Sequence, residues 1–194
     1  MPSVKMQCDC GKVRGHTDDI NPQSGNRIHC CCADCQSFAS LMDLEKKRST
    51  SNQIVDEFGG TDIFQMPIAY VNITEGNEHI ACLRLSHKGL YRWYTTCCHT
   101  PIGNTLDGKM PFIGIIHNFM DKNMSRDSIL GRSKGYIHCQ HSTKVIPEEL
   151  KGSYFKIAAR IVSKLLVWKI KGLNQPSSFF TSNKQPVVIP KILK

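Results

Sequence analysis

The chain has 194 residues, ten cysteines and a formal charge of +9, with 40% hydrophobic residues. That length can bury one core of ordinary size without disulfide staples, and that composition excludes wholesale disorder. No apolar run reaches the roughly 18 residues of a transmembrane helix, and Met1-Pro2-Ser3-Val4-Lys5-Met6-Gln7-Cys8 lacks the apolar segment of a secretory signal. Ten cysteines in a chain expected to be cytoplasmic point to metal or redox chemistry rather than to a disulfide framework.

In chain order, the first signals are Cys8-Asp9-Cys10-Gly11 and Cys30-Cys31-Cys32-Ala33-Asp34-Cys35. Residues 36–49 then suggest a short helix, with Phe38, Leu41, Met42 and Glu45 at helical spacing. Residues 68–74, 79–85 and 90–95 read as β-strands, β-branched or aromatic and separated by Glu75-Gly76-Asn77-Glu78 and Ser86-His87-Lys88-Gly89. Spaced in this way they suggest an antiparallel meander, and the apolar part of 107–116 suggests one more strand. Cys97-Cys98 lies between these segments. A clear helix covers 154–171, with Ser153 placed to cap it and Gly172 to end it. Lys156, Arg160 and Lys164 recur on it every four residues, which predicts a basic, solvated stripe on a helix docked by its apolar side. The last twenty residues, with three prolines and Phe179-Phe180, read as an extended strap. The expected fold is therefore mainly β with a C-terminal α-helix: a cysteine-rich β domain over 1–150, then a basic helix and tail over 151–194.

Charge and cysteine separate along this chain. Residues 1–120 carry eleven Lys+Arg against twelve Asp+Glu, whereas residues 121–194 carry fourteen against four. Nine of the ten cysteines precede residue 100. A basic surface would belong to the C-terminal part and not to the cysteine-bearing body.

Eight cysteines fall in three clusters, and zinc explains such clusters through its chemistry. Its thiolate ligands stand at about 2.3 Å in a tetrahedron, so neighbouring sulfurs approach within roughly 3.8 Å. In extended chain, consecutive side chains point to opposite faces. Cys30 and Cys32 then share a face while Cys31 points away, and Cys35 completes a local set of three. By the same rule, Cys97 and Cys98 should not both reach one ion. Three local thiolates with an open fourth position is the arrangement of a catalytic or ligand-binding zinc, and four protein ligands that of a structural one. Cys82 and Cys139 read as packing residues. His16, His79, His138 and His141 carry no informative spacing and read as surface or core histidines.

At the three clusters the sequence resembles the glutathione-dependent formaldehyde-activating enzyme and centromere protein V family, over roughly residues 5–118. The residues that carry the likeness are Cys8-Asp9-Cys10-Gly11, Cys30-Cys31-Cys32-Ala33-Asp34-Cys35 and Tyr94-Thr95-Thr96-Cys97-Cys98-His99-Thr100-Pro101. Asn26-Arg27, Gly59-Gly60-Thr61-Asp62, Arg92-Trp93-Tyr94, Cys97-Cys98 and Thr100 to Thr105 look like an uncharacterised branch of that family. The resemblance implies a tent-like antiparallel zinc-binding β fold with one or two zinc ions. Cys8, Cys10 and Cys98 would belong to a structural site, and Cys30, Cys32 and Cys35 to an open one. Thr95 replaces the cysteine that the family carries there, so either Cys97 or His99 supplies the fourth ligand through a bend in the backbone, or the site is lost. The implied activity is that of a carbon–sulfur lyase joining a small thiol such as glutathione to formaldehyde or another small aldehyde, with His99 as the candidate proton donor. The alternative is a non-catalytic zinc module that meets an anionic partner through its basic C-terminal region. Nucleic acid is not expected to be that partner, because the positive residues are scattered rather than gathered in a motif. A redox role for Cys97-Cys98 lacks the βαβ context such chemistry uses.

Overall fold

The computed structural model describes residues 3–46 and 53–193. The molecule is mainly β, with two sheets and three α-helices. The small sheet has the order β1-β2-β5, from β1 (Val4–Gln7), β2 (Arg14–Thr17) and β5 (Val71–Glu75). The large sheet is built on β3 (Asn26–Cys30), β4 (Thr61–Met66), β6 (Ile80–Arg84), β7 (Tyr91–Thr95), β8 (Pro101–Thr105) and β9 (Ile113–Ile116). Two-residue strands close its edges, β10 (Tyr136–Ile137) beside β3 and β11 (Lys191–Ile192) beside β6. Neighbours within the sheets are antiparallel except at these two edges, where both short strands run parallel.

Side-chain alternation divides the interior in two. From β4 and β9, Phe64, Met66, Ile113 and Ile115 face the main core, while Ile63 and Ile116 face a second core beside helix α1 (Ala33–Lys46). On β7 the same alternation sends Trp93 into the main core and Arg92 to the α1 side, where it lies over the Phe38 ring. The main core is closed by the C-terminal strap. Phe179 and Phe180 are buried against Trp93, with ring centroids 5.1 and 5.5 Å away.

Several elements differ from the sequence expectation in extent. Helix α1 begins three residues before the expected 36, because the Cys32 carbonyl accepts from the amides of Cys35 and Gln36 and starts the first turn there. Positions 47–49 of the expected helix lie outside the described residues. Strand β5 starts at Val71 rather than 68, since Ile68–Tyr70 form a single 3-10 turn after Pro67. Helix α3 (Tyr154–Ile170) follows the short α2 (Arg126–Leu130), and it corrects the expectation for its faces. Of the basic stripe, Lys156 is exposed as expected, but the stripe as a whole is not the outward face. Arg160 and Lys164 are half-buried along the body, and Lys164 donates to the Gln23 carbonyl. The exposed line is apolar, with Phe155, Val162, Leu166 and Ile170 outermost. The helix docks through just Ile157 and Trp168 as fully buried residues.

One ion network is buried. Both Asp62 oxygens accept from Arg27, at 3.0 and 2.9 Å, and Arg126 adds a third contact at 2.7 Å. Burial would raise the Asp62 carboxyl, but these cations outweigh it and hold it below its ordinary range. Beside it, burial and the charge of Arg126 bring His117 down to about 4.

Two outcomes follow. Phe179→Ala is expected to cost about 3–5 kcal/mol in chemical denaturation, and a change below about 1 kcal/mol would show that the strap is not part of the core. The folded state favours neutral His117, so its stabilisation is complete above pH about 6.5 and is lost as pH falls toward 4. Asp62, also held below its ordinary value, is a carboxylate, so its contribution is present above about 3.9 and is lost as pH falls below that. The melting temperature should therefore drop between pH 6.5 and 4, and His117→Asn should flatten that drop; equal slopes in both proteins would assign the loss elsewhere.

Candidate metal centres

The cysteines gather in two places. In the first, the Sγ atoms of Cys8, Cys10, Cys97 and Cys98 lie within 4.8 Å of one another. Cys8 is 3.6 Å from Cys10 and 3.8 Å from Cys97, Cys10 is 3.4 Å from Cys97, and Cys97 is 3.8 Å from Cys98. These are the separations at which four sulfurs share a tetrahedral ion.

Two turns produce this cluster. After β1, the amide of Gly11 donates to the Cys8 carbonyl, and Gly11 takes a φ of +73°, so the chain doubles back within the cysteine pair. Between β7 and β8, the His99 amide donates to the Thr95 carbonyl at 2.8 Å, and His99 itself has a φ of +51°. That turn is why Cys97 and Cys98 both reach the cluster, against the expectation from strand alternation: the pair does not lie in extended chain. Thr95, where the resemblance led us to look for a cysteine, is fully buried. Its hydroxyl accepts from the Thr100 amide at 3.1 Å and lies 3.3 Å from the Cys98 sulfur. Thr95 thus braces the turn while Cys97 completes a set of four thiols. Burial pushes the Cys98 thiol up, but contacts with the Thr100 and Thr95 hydroxyls and with the Cys10 backbone overcome it and bring Cys98 down to about 6.

The second cluster is Cys30, Cys32 and Cys35, again within 4.8 Å of one another. Cys30 ends β3, Cys32 lies in the connecting loop, and Cys35 sits in the first turn of α1. Cys31 points away, as its neighbours' alternation requires, and its thiol donates to the Phe58 carbonyl at 3.9 Å. Contacts with the sulfurs of Cys30 and then Cys35 draw the Cys32 thiol well down, while the same contacts raise Cys30. The triad therefore already favours one negative charge.

Among the described residues no fourth Cys, His, Asp or Glu joins this triad within the same distance. It opens instead on a cavity of about 440 Å³. Ile28, Ile63, Leu90 and Phe112 form apolar walls, and Asp34, Gln65, Arg92, Asn104, His138 and His141 supply the polar lining. Gly114 leaves room on β9, where a Cβ would meet Ile63 Cγ2 at 2.8 Å. Arg92 is 1% exposed, lies 4.0 Å from the Cys35 sulfur and donates to Asn104 Oδ1 at 3.2 Å. Its partner Asp34, at 3.5 Å, is largely exposed, and Arg92 Nε is buried without a hydrogen-bond partner.

Sequence reasoning missed Arg92, Asn104, His138 and His141. Arg92 and Asn104 entered the resemblance only as parts of longer runs with no role of their own, and the two histidines are delivered by the turn after β10, which pairs with β3 far away in sequence. Gln36 fastens that turn by donating to the carbonyls of both Cys31 and His141. His99, the sequence candidate for proton transfer, does not line this cavity. It lies in the β7–β8 turn with the four-thiol cluster, its ring stacked on Tyr94 at 6.2 Å.

The four-sulfur set suits a closed structural ion, and the triad suits an ion with a free position. Metal analysis of the purified chain should give two equivalents, one for each cluster. Cys97→Ser should remove one of them, and full metal content in that variant would exclude Cys97 from the set.

A protein-family model described as a family of unknown function, DUF6151, matches residues 2–189. No curated protein matches the chain.

Proposed function

The chain belongs to the DUF6151 family of unknown function, and from that premise we propose that it is a two-zinc protein whose open site joins a small thiol to a small aldehyde, or cleaves the adduct. The observation that carries this reading is the three-thiol cluster, which no fourth ligand joins among the described residues and which lines a cavity. The sequence resemblance to the glutathione-dependent formaldehyde-activating enzymes supports the choice of substrates. Cys8, Cys10, Cys97 and Cys98 would hold a structural zinc, and Cys30, Cys32 and Cys35 the other.

When bound, zinc is a Lewis acid with a preference for sulfur, and it keeps a substrate thiol ionised near neutral pH. The chain supplies the rest. Three thiolates around a divalent ion leave one net negative charge, which the buried Arg92 guanidinium balances. Asn104 holds that guanidinium in place. Addition forms a bond from the thiolate sulfur to the carbonyl carbon, and the C=O π pair moves to oxygen. That oxygen takes one proton, for which His138 and His141 are the donors lining the cavity. Cleavage runs the same steps backwards.

The test is exchange spectroscopy of glutathione with formaldehyde, in which the wild-type chain should speed adduct formation above the buffer rate. Cys32→Ser should abolish the acceleration, and replacing both histidines by Gln should lower it by about 10²-fold or more with metal content unchanged. Acceleration that survives Cys32→Ser would refute the open-site reading.

A further inference from the structure

Helix α3 turns an unusual face to solvent. At 100° per residue, Phe155, Ala159, Val162, Leu166 and Ile170 form one ridge directly opposite the docked Ile157 and Trp168. Phe155 is 84% exposed, Leu166 62% and Ile170 86%. The helix contains four Lys or Arg and no acidic residue. Lys156, Arg160 and Lys164 run along one flank of the ridge, and Lys169 borders the other. No helix among the described residues is long and apolar enough to cross a membrane, so this ridge belongs to an interface and not to a span.

A second observation comes from the start of the helix. Lys134, Ser153, Lys156, Ile157 and Arg160 line a pocket of about 310 Å³ that holds three cationic side chains and no carboxylate. The Ser153 side chain makes no capping bond to the helix, and Arg160 Nε is buried without a hydrogen-bond partner. Unsatisfied donors and uncompensated positive charge together describe a receptor for a phosphate group.

We propose that α3 seats the protein on an anionic phospholipid surface, with the apolar ridge sunk into the headgroup–acyl boundary and a lipid phosphate held by Lys134, Lys156 and Arg160. Flanking lysines reach up to the headgroups while their stems follow the apolar face. Charge decides against a second copy of the chain as the occupant. Two ridges face to face would bring two acid-free basic flanks together, whereas an anionic bilayer attracts every one of those cations. A convex ridge also needs no matching groove in a deformable surface. The inference is independent of the chemistry at the cysteine triad.

Flotation of the full chain with vesicles tests it. Phosphatidylcholine vesicles containing phosphatidylserine should carry the protein, pure phosphatidylcholine vesicles should carry much less, and added salt should release it. Phe155→Asp with Ile170→Asp, both at exposed positions, should weaken binding at least tenfold, on the order of one large apolar side chain lost from the interface. Lys156→Glu should weaken it by about thirtyfold through two units of charge. Circular dichroism and metal content of the variants establish that they fold. Failure to float with the anionic vesicles, or variants that bind as the wild type does, would overturn the proposal. So would a concentration-dependent dimer that the ridge substitutions dissolve.

Discussion

Cys8 and Cys10 leave the β1–β2 hairpin of the small sheet, Cys97 and Cys98 leave the β7–β8 turn of the large one, and neighbouring sulfurs stand 3.4–3.8 Å apart. Four thiolates at that distance would repel one another strongly in a half-buried setting, so the four sulfurs can all be ionised there only around a shared cation. It joins segments 89 residues apart. A clip across that much chain removes unfolded-state entropy worth on the order of 4–5 kcal/mol in the loop-closure model. Val4, Met6 and Cys8 on one side and Trp93, Cys98 and Ile102 on the other then share one core. The two sheets are thus fixed relative to each other by the sulfur junction and by the apolar side chains it brings together.

What the sequence made legible was local. The triad Cys30, Cys32, Cys35 could be assembled from alternation and one helical turn, because its members lie within six residues. Helix α3 and strands β6 and β7 declared themselves by period and by turn chemistry. Strand β3 did not, since its middle carries Arg27, a charge that is buried only because Asp62 on β4 and Asp127 near the start of α2 meet it. A charged residue at a core position breaks the apolar alternation from which strands are read. The vicinal cysteines misled for a related reason. Alternation applies to extended chain, and His99 in the left-handed region takes Cys97-Cys98 out of it. The run Cys97-Cys98-His99-Thr100-Pro101, poor in strand formers and ending in proline, is the signal that a turn lay there.

Helix α3 shows a different kind of limit. Periodicity distinguishes the faces of a helix but does not say which of them docks. An apolar stripe is normally the buried one because burying it is favourable. Here two large residues, Ile157 and Trp168, suffice for docking, and the basic stems of Arg160 and Lys164 fill the sides, Lys164 lying 5.9 Å over the Trp168 ring. The apolar ridge is left over. Its exposure works against the folded monomer in water, which is why it reads as a surface reserved for contact.

The two cysteine clusters differ in what surrounds them more than in their own chemistry. At the first, a fourth thiol and the hydroxyls of Thr95 and Thr100 stand against the sulfurs. At the second, that space belongs to the cavity, and the nearest fixed charge is a guanidinium that is 1% exposed. An arginine buried so deeply is costly unless a negative charge compensates it. Asp34 does so weakly, from 3.5 Å and largely in solvent. The triad does so fully once it carries a net negative charge, as three thiolates around a divalent ion would. Arg92 is therefore explained by an anionic triad and poorly explained by three neutral packing cysteines. The same pairing leaves Arg92 Nε, Asn104 and two histidines around a cavity that no described side chain fills, an arrangement whose size and polar groups suit a small polar molecule.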